Sequence, residues 1–233
     1  MRITSQDKMH RLVHEWGFLP FFSNKTEGFS IEEHTPEELW FSDGQLASPW
    51  EWKGPVIGTW DCTYGKFFKK KAGFVSLEWF PDFMNWRRSL HPIESYSAES
   101  RHILQVLQEN ESMLSRELKK TCGFTLSRKK KFTPFGFEDR VANQHNGCTF
   151  DKLIADLQMG TYVVIADFEY QMNRQGERYG WGIARYCTPE ALFGTSILQA
   201  CKERSPQESR QRILRHLAQI FPEAPAKALT EMI

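Results

Sequence analysis

The order of predicted elements between residues 98 and 186 constrains the fold of this chain more than any other feature. Apolar residues recur at helical spacing in three successive segments, which are Ala98–Glu109, Arg116–Cys122 and Phe150–Met159. Thr161–Tyr170 and Tyr179–Tyr186 then read as paired strands, because both are rich in β-branched and aromatic residues and flank turn-forming residues 173–176. Three helices followed by a hairpin is the order of a winged helix-turn-helix, so the sequence predicts an α+β fold.

A second, degenerate unit of the same kind is predicted in the N-terminal half. Helical patterns occur at Ser5–Trp16, which Thr4 can cap and Gly17 can end, and at Thr35–Trp40, and Gly73–Leu77 resembles a short strand. We therefore expect tandem winged-helix units with a C-terminal helical extension. The predicted division is an aromatic-rich winged-helix-like region at 1–94, a winged helix-turn-helix at 95–194 and the extension at 195–233.

The segment between the second and third predicted helices does not fit a simple helix-turn-helix. Residues 124–149 are far more numerous than the ~3–4 residues of the usual turn. A further short helix and a functional insertion are both consistent with this length.

Charge and cysteine content exclude several classes of protein. The formal net charge is +1, so nucleic-acid affinity would have to come from local clusters of Lys and Arg. The five cysteines form no Cys-x-x-Cys pair, which indicates reduced thiols that pack as small apolar residues. Since the chain shows no apolar leader and no apolar run long enough to cross a bilayer, we expect a cytoplasmic protein with no membrane partner.

Basic residues around the predicted winged helices are the candidates for DNA contacts. Such cations bind phosphates and give salt-sensitive affinity without sequence choice, although charge runs are often only solvated surface. Asp151 and Asp156 on the third predicted helix argue against strong base recognition. The candidate DNA-binding residues are Lys69, Lys70, Lys71, Arg87, Arg88, Arg128, Lys129, Lys130, Lys131, Lys152, Arg174 and Arg178.

The most aromatic part of the chain runs from Trp50 to Trp86. Trp50, Trp52 and Trp86 are candidates for stacking on bases or for lining a nucleotide pocket, because aromatic rings accept any base. The alternative is an ordinary core, since large aromatic residues are mostly buried.

Signatures of a metal, a cofactor or a catalytic site are weak. His10 and His14 are four residues apart on a predicted helix, but the sequence places no third ligand beside them. We therefore expect no metal, and with no phosphate-binding glycine loop or Gly-x-Ser-x-Gly motif we expect no cofactor and assign no catalytic residue.

Several stretches resemble the AlkZ-type (YcaQ-like) DNA glycosylases, which are built from tandem winged helices. They are Arg11–Leu19, Ile31–His34 with Leu39-Trp40, Trp50-x-Trp52-Lys53, and Leu114–Leu118 through Leu157-Gln158 into the hairpin. The resemblance implies DNA as a partner and a context of DNA repair. The family's catalytic signature, Gln-x-Gln or Gln-x-Asp, aligns with Pro20 and Phe22, and neither side chain can orient water or stabilise positive charge.

Three hypotheses follow. The first is a DNA-binding tandem winged-helix protein without the family's catalytic activity. The second is a DNA glycosylase that uses a relocated carboxylate from Glu15, Glu32, Glu33 or Asp61. The third is a protein-interaction module in which the winged helices and the last predicted helix bind a partner protein, and an apolar patch between Ile213 and Phe221 would favour it.

Overall fold

The computed structural model describes residues 2–40, 48–124, 131–133, 136–138, 149–176 and 178–233. The N-terminal half contains helices, strands and one long closing helix. These are α1 (Gln6–Trp16), β1 (Phe18–Pro20), α2 (Ile31–His34), α3 (Pro49–Ile57), β2 (Cys62–Phe68), β3 (Lys71–Ser76) and α4 (Phe80–Leu90). Short 3-10 turns lie at Glu37–Leu39, where the sequence predicted a longer helix, and at Ile93–Ser95.

The second half repeats this order, with a small strand pair between its second and third helices. Its elements are α5 (Ala98–Glu109), β4 (Ser112–Leu114), α6 (Ser115–Thr121), β5 (Lys131–Thr133), β6 (Gly136–Glu138), α7 (Phe150–Met159), β7 (Val164–Met172) and β8 (Arg178–Cys187). The C-terminal part is helical, with α8 (Pro189–Phe193), α9 (Ser196–Cys201), α10 (Pro206–Ile220) and α11 (Ala226–Thr230).

Local capping explains where α1 begins and ends. The Ser5 side chain accepts a hydrogen bond from the Lys8 amide at 3.3 Å, so Ser5 caps the helix in place of the predicted Thr4. Gly17 ends the helix at φ 70°, a left-handed conformation that glycine adopts without strain. Its apolar side, Met9, Leu12 and Val13, is buried.

Both halves show the order helix, strand, helix, helix and two-stranded hairpin. In each half the single early strand pairs antiparallel with the last strand of the hairpin, β1 with β3 and β4 with β8. The arrangement is α+β and is compatible with tandem winged-helix units, as the sequence predicted. The division at residues 94 and 194 stays a prediction.

One sheet joins the two halves. Its strand order is β1-β3-β2-β7-β8-β4, and the antiparallel pair of Tyr64 with Ile165 connects β2 to β7. Because β2 and β7 run in opposite directions, the turns of the two hairpins lie at opposite ends of the sheet. The basic residues of these two turns are therefore not neighbours.

Each hairpin packs against the third helix of the other half. Strand β2 contacts α7, and the fully buried Gln158 accepts a hydrogen bond from the Lys66 amide at 3.0 Å. Strand β7 contacts α3, where the Lys53 ammonium lies 4.2 Å from the centre of the Phe168 ring. Helix α7 consequently exposes only a narrow strip that includes Asp151 and Lys152. It is not presented to solvent as a recognition helix, because β2 and α5 cover it.

The C-terminal helices cover the first half of the sheet. Helix α10 packs against α4, and its Ile213 and Leu217 are fully buried. The ring of Phe221 lies 4.5 Å from that of Phe29 and 5.0 Å from that of Trp16. The apolar face that suggested a protein partner is thus used inside the chain, which corrects that expectation.

The cysteines of the described residues are free thiols, and all four of them, Cys62, Cys122, Cys187 and Cys201, are buried. Burial raises the pKa of Cys62 and of Cys187 to about 12. These thiols therefore pack as small apolar groups, as predicted. Among the described residues no helix combines the length and the apolar character that crossing a membrane requires.

Candidate nucleic-acid interface

The turn between β2 and β3 consists of two lysines in an unusual conformation. Phe68 pairs with Lys71, so Lys69 and Lys70 form a two-residue hairpin loop. Both have positive φ, 52° and 64°, where Asn and Gly are the favoured residues. Left-handed backbone costs an ordinary residue roughly 1–2 kcal/mol, and such strain often marks a functional position.

A cleft of about 360 Å³ lies on one side of this turn. Phe22 and Phe68 contribute to its apolar wall, and Lys25, Lys69 and Lys71 line it with positive charge. Pro20 also lines the cleft, so both positions that align with the catalytic signature of the resembling family, Pro20 and Phe22, face this space. An apolar cleft with a basic lining suits a ligand that carries both a flat ring and a phosphate.

A second cleft, of about 410 Å³, lies on the other side of the turn. Lys70 and Lys152 both line it, together with Tyr96 and Asp156. The Lys70 ammonium lies 2.5 Å from Oδ1 of Asp156. The turn thus separates two clefts that each contain lysine side chains.

We call the five lysines around the turn the lysine ridge, which consists of Lys25, Lys69, Lys70, Lys71 and Lys152. Two carboxylates partly neutralise it. Oε2 of Glu231 lies 2.9 Å from the Lys25 ammonium and 2.6 Å from the Lys69 ammonium, and Asp156 pairs with Lys70. Hydrogen bonds from Lys69 and Lys25 lower the pKa of Glu231 to about 2, so this carboxylate is ionised at neutral pH.

Arg87 and Arg88 do not extend into solvent beside the ridge. Arg87 is only 4% exposed, and its guanidinium donates to the carbonyl oxygens of Phe67 at 3.0 Å and Met232 at 3.2 Å. Burial lowers its pKa to about 10. Arg88 donates to the Thr161 carbonyl at 3.1 Å and pairs with Glu190 at 2.8 Å. Both arginines join elements of the fold, which corrects their selection as phosphate ligands.

The second hairpin carries the other two basic candidates that the structure describes. Arg174 is exposed in its turn, and the Arg178 guanidinium lies 5.0 Å from the centre of the Tyr170 ring. Trp181 on the same hairpin is 77% exposed and lies 6.3 Å from Trp50. Lys131 opens β5, whereas the predicted contacts at Arg128, Lys129 and Lys130 lie outside the described residues.

Residues 3–233 match the protein family described as AlkZ related. The chain belongs to that family. No curated protein and no solved structure matches it. The match covers nearly the whole chain and agrees with the resemblance found in its sequence.

The three tryptophan candidates of the AlkZ-related chain do not form one pocket. Trp52 is 6% exposed and belongs to the core, which corrects its selection as a base-stacking residue. Trp50 is half-buried and stacks on Phe21 at 4.9 Å, in contact with Trp40 at 5.3 Å. Trp86 lies on α4 beneath the guanidinium of Arg210, 5.3 Å from the ring centre.

Lys53 lies within the aromatic cluster around Trp50. Its ammonium is 4.2 Å from the centre of the Phe168 ring and 5.6 Å from that of Trp50. Burial lowers the pKa of Lys53 to about 8. This lysine is therefore distinct from the solvated lysines of the ridge.

Of the carboxylates considered for a relocated active site, two have structural roles in the AlkZ-related chain. Glu32 accepts a hydrogen bond from the Ser23 amide at 2.7 Å. Glu33 accepts one from the Gly28 amide at 2.9 Å and one from the Ser30 hydroxyl at 2.5 Å. Both fix the loop that follows β1, and neither lines the first cleft.

Proposed function

We propose that this AlkZ-related protein binds DNA through the lysine ridge and does not excise bases. The observation that carries the proposal is the convergence of five lysines on a strained two-residue turn between two clefts. Membership of the AlkZ-related family supports DNA as the partner and DNA repair as the context.

The chemistry of the ridge fits phosphates. Lysine ammonium groups act as compact point charges toward phosphate oxygens and displace counterions from the DNA backbone. The apolar wall beside them, with Phe22 and Phe68, offers space for an unpaired base.

Binding is expected to depend little on sequence. The third helix of the second half, α7, exposes Asp151 beside Lys152, and its remaining surface is largely covered. Because α7 is largely covered, we expect phosphate contacts and single unstacked bases to dominate recognition.

A charge-removal variant tests the ridge. Replacing Lys69, Lys70 and Lys71 together with Gln should weaken binding to duplex, mismatched and single-stranded DNA in fluorescence anisotropy. The slope of log K against log[salt] should decrease in magnitude by roughly 2–3, because each phosphate contact contributes about 0.9 to this slope. The matched control replaces the exposed Arg101, Lys120 and Lys202 with Gln and should leave the slope unchanged. Equal effects of the two triple variants, or no salt-dependent binding by the wild type, would contradict the proposal.

The absence of base excision is tested separately. Pro20 and Phe22, which line the first cleft, cannot position water or stabilise an oxocarbenium ion. We expect no release of free base from a panel of alkylated duplexes at enzyme concentrations that saturate binding. If the protein does release free base, and a variant of Glu15, Glu32, Glu33 or Asp61 abolishes that release, the glycosylase hypothesis is favoured.

A further inference from the structure

Two histidines and an aspartate converge at the start of strand β2. His10 and His14 lie one turn apart on α1, and Asp61 immediately precedes β2. Oδ2 of Asp61 is 2.9 Å from Nε2 of His10 and 3.0 Å from Nε2 of His14. The two Nε2 atoms are 3.2 Å apart. Three potential ligand atoms thus form a small triangle.

The size of this triangle matches one face of a coordination tetrahedron. A tetrahedral zinc ion at ~2.0–2.2 Å from each nitrogen or oxygen ligand separates neighbouring ligand atoms by roughly 3.3–3.6 Å. The observed separations of 2.9, 3.0 and 3.2 Å are slightly shorter, and small side-chain rotations close the difference. An ion placed just outside the triangle reaches all three atoms and leaves one position open.

The surroundings hold Asp61 in place. The Thr59 hydroxyl contacts Oδ1 of Asp61, as the outer-shell partner of a ligating carboxylate does. The Asp61 carbonyl accepts a hydrogen bond from the Leu77 amide at 2.8 Å. Trp60, between Thr59 and Asp61, has φ 64°, a strained conformation for a bulky residue.

We propose that His10, His14 and Asp61 bind a divalent transition-metal ion. Zn²⁺ fits this donor set best, with a water molecule as the fourth ligand. Two imidazoles and one carboxylate form a donor set that zinc accepts, and a site with three protein ligands is open to a further ligand. The histidines are partly exposed, with side chains 28% and 39% accessible, so an ion can enter from solvent.

This site is separate from the lysine ridge. Asp61 precedes β2 and Lys69 follows it, so the seven residues of the strand place the two ends roughly 20 Å apart. The metal proposal therefore does not depend on DNA binding, and either can fail without the other.

Titration of the full chain with zinc provides the test. After treatment with a chelator, the wild type should bind one Zn²⁺ per chain in isothermal titration calorimetry. Co²⁺ bound at the same site should give the intense visible absorption of a tetrahedral complex. His14→Gln and Asp61→Asn should each weaken zinc binding by at least about 10-fold. Thr59→Val should cause a smaller loss of zinc affinity. His102→Gln, on the exposed side of α5, is the matched control and should bind as the wild type does.

Circular dichroism of the metal-free variants shows whether each of them is folded, so a loss of zinc binding can be distinguished from unfolding. His14 is partly exposed on a helix, so His14→Gln should retain the wild-type spectrum even if Asp61→Asn does not fold. No zinc binding by the wild type, or binding that folded His14→Gln retains, would overturn the proposal. In that case the three groups form a hydrogen-bonded cluster only.

Discussion

The backbone amide of Lys66 donates a hydrogen bond to the side-chain Oε1 of Gln158, 3.0 Å away. Gln158 is fully buried, and its Nε2 donates to the Ile154 carbonyl at 3.2 Å. Lys66 lies where the register of β2 with β3 shifts, so its amide meets a side chain from α7. A single glutamine thus links the first hairpin to the third helix of the second half.

Gln158→Leu is expected to destabilise the protein. The substitution leaves the partly buried Lys66 amide without its Gln158 acceptor, which costs about 1–3 kcal/mol. Urea unfolding followed by circular dichroism measures this free energy. Gln105→Leu, on the exposed side of α5, is the control and should change stability by less than about 0.5 kcal/mol. A Gln158→Leu protein as stable as the control would show that the hydrogen bond contributes nothing.

Glu231→Gln is expected to strengthen DNA binding. Removing this carboxylate frees Lys25 and Lys69 from their ion pairs, so affinity should rise roughly threefold to tenfold at low salt. Because the pKa of Glu231 is about 2, the gain should be the same at all pH values between about 5 and 8. Anisotropy titrations measure it. Glu203→Gln is the control, because it removes a single carboxylate that pairs with Arg204 and not with the ridge. If both variants gain the same DNA affinity, the effect is one of net charge alone.

Replacing Lys69 with Asn and Lys70 with Gly should change stability and DNA affinity in opposite directions. Asn-Gly suits two positions of positive φ, so the free energy of unfolding should rise by about 1 kcal/mol. Loss of two cations should lower DNA affinity. Replacing both lysines with Gln removes the same charge without relieving the turn, so that variant should lose affinity and gain no stability. Weaker binding in the Asn-Gly variant without added stability would show that the turn is not strained.

Lys53 should make stability depend on alkaline pH. Its pKa is lowered from 10.5 to about 8 in the folded protein, so the unfolded chain binds more protons between these values and stability rises across this range. Lys53→Met lacks this dependence, because the folded protein no longer disfavours a charged group. The unfolding free energy of the wild type relative to Lys53→Met should therefore increase from pH 7 to about pH 10. Lys120→Met, at an exposed position on α6, controls for the loss of one lysine. A pH-independent difference would mean that Lys53 is protonated throughout.

Helices with strong local signals could be predicted to the residue. Ala98–Glu109 and Phe150–Met159 have the predicted bounds, because apolar spacing and capping groups occur together at both. Thr149 caps α7 through the Lys152 amide at 3.4 Å. The hairpin of β7 and β8 was predicted, and it extends to Met172 and Cys187.

The contacts between the halves could not be predicted from local patterns. Pairing of Tyr64 with Ile165 joins residues far apart in sequence, and no periodicity encodes it. This pairing brings β2 against α7, where Ala155 and Gln158 are also buried. The apolar spacing alone predicts an inward face of Phe150, Leu153, Ile154 and Leu157. A helix expected to meet DNA is therefore covered.

The candidate sites show the same limit. Lys69, Lys70 and Lys71 were visible as a run, whereas Lys25 reaches the ridge from a distant loop. The sequence contains a signal that Arg87 is buried, because Arg87 continues the helical spacing of Phe80, Phe83 and Met84 into the core. Asp61 follows His10 by 51 residues, so only the fold reveals it as a third ligand.

The join between β2 and β7 has a consequence for how the chain can be divided. Cutting between the halves would leave β2, with seven residues, and β7, with nine, as open strand edges ready to recruit other chains. In the intact molecule the outermost strands, β1 and β4, have only three residues each and offer little for such recruitment. The join at Tyr64 and Ile165 thus covers strand edges that either half would expose by itself, so this protection from self-association belongs to the pair of halves and to neither half alone.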